Sequence, residues 1–356
     1  MELQQKIETG NIPINLIRSI AIIQVIVIHA ASEYPYLNNL IVGSELNWFA
    51  ANFYQSITRS SVPLFVIITG ILLLQPSKSN EKISDFFRKR LSKIALPFIF
   101  WAAVYFCWRV FYLHESLPLS IVWQYGISGY PYFHFWFLYM LFGLYLITPV
   151  LRPAVAHSNV KLLKYAVLLC FFGSAVIPLI ILFTPININS YLLILGGWVG
   201  YFVLGLYLLH FRIKSSILLL VILFGSAWTL FGTWILTVAD GVTTSHFFYD
   251  YLSASSVLIS SSVFLFLCKI SPEKIERRFP AVNKLINLIG KNTLAIYLLH
   301  VLVLESIQGG LFGFRLSVTT LTPIFEIPLI SIVTIGICLI VIIPLKRVPI
   351  LKKLIG

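Results

Sequence analysis

The chain has 356 residues, of which 58% are hydrophobic and only 11% charged, with a mean hydropathy of +0.91. Such a balance excludes an ordinary soluble domain and puts the protein in a bilayer. The net charge of +13 is a matter of topology, because the basic residues fall between apolar runs, and it gives no reason to expect a nucleic-acid partner.

Apolar runs of about 17 to 25 residues cross a ~30 Å hydrocarbon core as helices. They occur at roughly 14–31, 57–75, 94–112, 135–151, 165–183, 192–210, 215–237, 251–268, 292–308 and 324–343. An all-α integral membrane protein of about ten transmembrane helices is expected, a single domain over residues 1–356. Segments 1–18, 76–93, 152–164, 211–214, 269–291 and 344–356 hold 23 of the 26 Lys and Arg residues, so the positive-inside rule makes both termini cytoplasmic. Arg59, Arg109 and Arg315 are left for the outer side. The connections are too short for a soluble domain, and the first helix reads as a retained anchor in a multi-pass protein of the cell membrane. Four cysteines lie singly within apolar runs, without metal-ligand or disulfide spacing, so no metal is expected.

The first run, "IRSIAIIQVIVIHA", carries Arg18 and His29. Eleven residues at 100° each make three turns plus about 20°, so the two share a face, ~16 Å apart along the axis. Polar groups at that depth are costly against lipid, so this face should meet a protein-lined cavity. Glu33, one further turn on, would lie beside His29 if the helix continues. At the outer end of the second run, "RSSVPLFVIITG" places Arg59 where it could meet a polar substrate or pair with Glu33 or Glu45. "FFRKRLSKIALP" gathers Arg88, Lys89, Arg90 and Lys93 before the third run. Arg90 and Lys93 face one way, as a phosphorylated ligand would require, although topology alone also demands basic residues here.

In "YFHFWFLYMLFGLYLITP", His134 and Trp136 stand at the outer mouth of the fourth helix, where aromatic residues also form interfacial belts. "GKNTLAIYLLH" brings His300 to ~13 Å beyond Lys291, a depth close to that of His29, with Tyr297 on the same face. Buried imidazoles suit a general base. They suit equally well a proton relay in a transporter of glycans or lipid-linked sugars, or a helix-to-helix hydrogen bond.

Arg18-x10-His29, "SVPLFVIITGILLL", "HFWFLYMLFGLYLITPVL" and the terminal "IYLLH", in this order, resemble the acyltransferase-3 family of integral-membrane O-acyltransferases. The likeness is nearest to the branch of the enterobacterial common antigen O-acetyltransferase. It implies transfer of an acyl group, commonly acetyl from acetyl-CoA, to a hydroxyl of a surface polysaccharide or its lipid-linked precursor at the bacterial inner membrane. It also implies His29 as catalytic base with Arg18 as its companion, and a cytoplasmic basic motif that falls on Arg90 and Lys93. Here the motif's usual second arginine is a lysine. Arg18, Arg88, Arg90 and Lys93 would then hold the CoA phosphates at the cytoplasmic face. Arg59, His134, Trp136, Tyr297, His300 and Glu33 would surround the acceptor. Succinyl-CoA is an alternative donor.

Overall fold

The computed structural model describes residues 12–32, 45–78, 81–127, 130–186, 196–240, 247–317 and 320–356. Among these residues the regular structure is helical. Helix α1 (Ile14–Ala31) starts immediately after Pro13 and ends where Ser32 returns its backbone N–H and its hydroxyl to the His29 carbonyl. It packs against α2 (Glu45–Ile57), α3 (Ser61–Leu73), α13 (Pro280–Lys291), α14 (Thr293–Gly309) and α15 (Pro323–Leu345). Its N-terminal half belongs to one apolar core, with Leu16, Ile17 and Ala21, and its C-terminal half to another, with Ile22, Val25 and Ile26. The helix carrying Arg18 and His29 is therefore interior, as the cost of exposing those groups to lipid requires.

The second expected span, 57–75, begins much earlier in the structure: α2 and α3 form one apolar run, Leu46–Leu73. Asn52, Gln55, Ser56, Arg59, Ser60 and Ser61 are buried within it. Apart from the Ser61 hydroxyl, which has no partner among the described residues, these side chains hydrogen-bond inside the protein, which is what polar residues at membrane depth need. Gln55 donates to the Ile28 carbonyl at 2.9 Å and Ser60 to Gln24 at 2.9 Å, both on α1. Arg59 is thus mid-span and not at the outer end; the polar segment before it hid the first half of the span from an apolar-run reading.

Helix α4 (Ile83–Phe111) is followed by the short α5 (Leu119–Ile127), then α6 (Trp136–Ala156), which a 3-10 turn, Phe133–Phe135, introduces. Helix α7 (Val160–Phe171) is started by the Asn159 side chain, which accepts the Leu162 N–H, and passes through a π turn, Phe172–Val176, into α8 (Ile177–Phe183). Helices α9 (Gly197–Leu208), α10 (Ser215–Asp240), α11 (Ala254–Leu267) and α12 (Pro272–Arg278) precede α13. Helices α3 and α9 approach closely, with Gly70 directly against the Phe202 backbone.

Eight runs among the described residues are long and apolar enough to span a bilayer, and a ninth is the pair α13 and α14, bent by 83°. The remaining expected span, 192–210, is represented by α9, twelve residues long and so about 18 Å. Residues 187–195, which precede it, lie outside the described set. The stretch 269–291, expected as a connection, contains α12 and α13. Helix α13 buries Ile289 and Gly290 and leaves Val282 and Leu285 half exposed. Gly290 presses on the Asn15 backbone of α1, where a Cβ would meet the carbonyl oxygen at 2.6 Å. The chain then turns at Asn292 and α14 runs into the core, ending at Gly310 in the left-handed conformation that favours glycine.

Candidate active site

Three histidines from three distant segments meet in the interior. The His29 and His300 ring centroids are 5.2 Å apart, and those of His134 and His300 are 5.5 Å apart. His29 comes from the last turn of α1, His134 from the 3-10 turn before α6, and His300 from the middle of α14. His300 is fully buried and His134 is 2% exposed, whereas His29 is partly exposed. The two similarly deep imidazoles are thus brought together, with His134 as a third neighbour.

The hydrogen bonds fix much of the chemistry. His300 Nδ1 lies 2.6 Å from the Tyr297 carbonyl, which can only accept, so Nδ1 carries the proton. Its Nε2 is then a bare lone pair, buried with no partner among the described residues. Both His134 ring nitrogens are likewise without a partner. The Tyr297 hydroxyl donates to the His134 carbonyl, and its ring stands 5.4 Å from that of His134. Tyr105, fully buried, packs edge-on against His134 at 4.8 Å and donates to the Leu298 carbonyl.

The cations expected at the cytoplasmic face also converge. A cavity of about 320 Å³ is lined by Arg18 of α1, Thr69 of α3, Arg90 and Lys93 of α4, Tyr145 of α6, and Lys291 and Thr293 at the α13–α14 bend. Phe65, Phe137 and Tyr297 also line it, and Tyr297 and Phe137, with rings 5.4 Å apart, connect it to the histidines. No Asp or Glu is among the lining residues, and the Arg90 Nε is buried without a partner among the described residues. Four cationic side chains around a partly buried cavity suit an anion. Arg88 is exposed and does not line the cavity.

In the sequence Lys291 only marks the depth of His300. Its place in the cavity follows from the bend at Asn292, and the local signal was the polar "GKNT" breaking an otherwise apolar run. At the basic end, Arg152 of α6 is 2% exposed and donates to the Leu73 carbonyl at 2.7 Å and to Glu81 at 2.9 Å. Glu81 also receives Lys89 at 2.7 Å. This clamp ties α6 and α4 to the loop after α3 and so holds Arg90 in place.

Arg59 is 5% exposed, donates to the Gln55 and Tyr249 carbonyls at 2.8 Å each, and stacks over Tyr249 and Tyr251 at 4.7 and 5.5 Å. Trp136 is half-buried, its ring 5.6 Å from that of Trp198 and stacked on Tyr251 at 6.0 Å. Glu33 lies outside the described residues. Near His29, Phe133 is 51% exposed with its ring 5.2 Å away, and next to it Tyr132 donates to Glu305 at 2.5 Å while Trp108 donates to the other carboxylate oxygen at 2.7 Å. Sequence reasoning missed Glu305; only folding brings Trp108 and Tyr132 onto it. Among the described residues no group of three His, Cys, Asp or Glu side chains is arranged to hold a metal ion.

No curated protein and no solved structure matches the chain. A family model does: that of the acyltransferase domain of acyltransferase-3 type, over residues 11–343. With residues 11–343 matched and several apolar helices long enough to cross a membrane, the chain belongs to the acyltransferase-3 family and is an acyltransferase by family.

Proposed function

We propose that the protein transfers an acyl group, in the first place acetyl, from acyl-CoA at the cytoplasmic face to a hydroxyl of a cell-surface polysaccharide or its lipid-linked sugar precursor. The observation carrying this reading is the cavity that joins Arg18, Arg90, Lys93 and Lys291 to Tyr297 and hence to the histidines. Coenzyme A has a multiply charged phosphate head and a long neutral arm ending in the thioester. Four cationic side chains suit the head. Charge-assisted hydrogen bonds from Arg90 and Arg18 would be the strongest of these contacts, since a guanidinium grips phosphate in a bidentate way and Lys93 and Lys291 act as point charges. The ~16 Å from Arg18 to His29 suits the arm.

A sugar hydroxyl is a poor nucleophile near neutral pH. His29, the partly exposed member of the cluster, accepts its proton as the oxygen forms a bond to the thioester carbonyl carbon, and the carbon–sulfur bond then breaks to release CoA. The fixed charge of Arg59 would favour negative charge building on the carbonyl oxygen. The acceptor reaches His29 past Phe133, with the Trp108–Glu305–Tyr132 group offering an aromatic surface and a carboxylate that can bind sugar hydroxyls. His29→Ala in isolated membranes supplied with radiolabelled acetyl-CoA should abolish acyl transfer and CoA release. Transfer at the wild-type rate would overturn the assignment of the base. Parallel trials with succinyl-CoA decide the donor, and mass spectrometry of surface glycans with and without the protein identifies the acceptor.

A further inference from the structure

From the hydrogen bonding of the histidine cluster we infer that His300 is a positioning residue for His29, its buried Nε2 accepting a hydrogen bond from the His29 ring N–H and so fixing which His29 nitrogen is free to act as base. The inference rests on the reading of His29 as the base. A neutral imidazole has one donor and one acceptor nitrogen, and it serves as a base only through the bare one. Something must hold the other as N–H, and in most enzymes a carboxylate or carbonyl does so. Among the described residues no carboxylate is bonded to any of the three rings: Glu305 is engaged by Tyr132 and Trp108.

His300 fills that place by its own constraint. Its Nδ1 proton is committed to the Tyr297 carbonyl at 2.6 Å, so its Nε2 can only accept, and that atom is buried without a partner among the described residues. An unpaired buried acceptor costs about 1–3 kcal/mol, a standing drive to capture a nearby N–H. The His29 ring is 5.2 Å away, centroid to centroid, at 35°. An in-line N–H···N bond of about 2.9 Å between two five-membered rings places their centroids roughly 5 Å apart, so a small ring rotation completes it. His134 is slightly farther from His300, at 5.5 Å. His300, fully buried, is itself out of an acceptor's reach, whereas His29 is partly exposed. The pair therefore divides the work: one ring touches substrate and the other aims it.

The test is nitrogen NMR on the full-length protein in lipid, with 15N-histidine and the His29 signals identified by their loss in His29→Gln. The wild type should show His29 as a single neutral tautomer with nitrogen–nitrogen coupling to His300; a mixture of tautomers with no such coupling would overturn the inference without any variant of His300. His300→Leu should mix the His29 tautomers and lower kcat roughly a hundredfold or more, while KM for acetyl-CoA stays within about threefold. His300→Gln, whose amide oxygen can accept, should recover at least about tenfold of that kcat. A folded His300→Leu protein with unchanged kcat and tautomer would also overturn it. If the wild type shows the coupling yet moves no acyl group from acetyl-CoA, the functional reading fails and the histidine geometry stands.

Discussion

Replacing Gly70 by alanine tests the packing on which the cavity depends. Gly70 is where α3 meets α9, and a Cβ added there would stand 1.7 Å from the Phe202 carbonyl oxygen and 2.7 Å from its carbon. To reach even 3.0 Å from that oxygen the two helices must separate by about 1.3 Å. Backbone lies on both sides, so no rotamer change relieves the overlap. Small residues at helix crossings exist for this reason. Overpacking of this severity costs about 3 kcal/mol, the upper part of the usual range, and at roughly 2 °C per kcal/mol for a chain of this size it lowers the thermal midpoint by about 6 °C. Gly143→Ala on α6 is the control, since a Cβ there meets nothing within 4 Å and alanine improves helix propensity by up to about 1 kcal/mol. The assay is the thermal midpoint of each variant in detergent micelles, followed by size-exclusion chromatography. Acyl transfer should fall in parallel, because Thr69 next to Gly70 lines the cavity. A Gly70→Ala midpoint within about 1 °C of the Gly143→Ala midpoint would refute the argument.

Arg90→Gln should raise KM for acetyl-CoA roughly 10- to 150-fold, from the loss of about 1.5–3 kcal/mol of charged hydrogen bonding, and leave kcat within about threefold. Arg88→Gln, outside the cavity lining, should change neither, and steady-state kinetics in proteoliposomes compare the two. The clamp at the basic end predicts a pH effect. The Lys89 ammonium, with Arg152 adding to it, holds the Glu81 carboxyl below its ordinary value of 4.5. Because the folded pKa lies below the unfolded one, the stabilisation is complete above the unfolded pKa and is lost as pH falls through the folded one. The thermal midpoint of the wild type should therefore exceed that of Glu81→Gln at about pH 7, and the gap should close on acidification below about pH 4. A gap that persists at low pH would exclude the clamp as its source.

Much of this molecule could be read from one dimension. Helices declare themselves by apolar length, because no other unclosed structure satisfies its backbone in lipid, and Arg18 and His29 declare a shared interior face, because 3.6-residue periodicity and the cost of burying a charge are local facts. Arg90 and Lys93 were legible for the same reason: their relation lies within one turn. What required the fold were relations between turns far apart in the chain. The first half of the second span was hidden by Asn52 and Gln55, whose polarity is tolerable because the Ile28 carbonyl of α1, the Leu230 carbonyl and the Tyr249 hydroxyl supply partners. Likewise, the bend at Asn292 carries Lys291 into the cavity, His134 turns inward to complete a histidine cluster, and Glu305 gains Trp108 and Tyr132. Each of these depends on a donor, an acceptor or a close approach contributed by another helix, and a sequence pattern holds no record of which helices become neighbours.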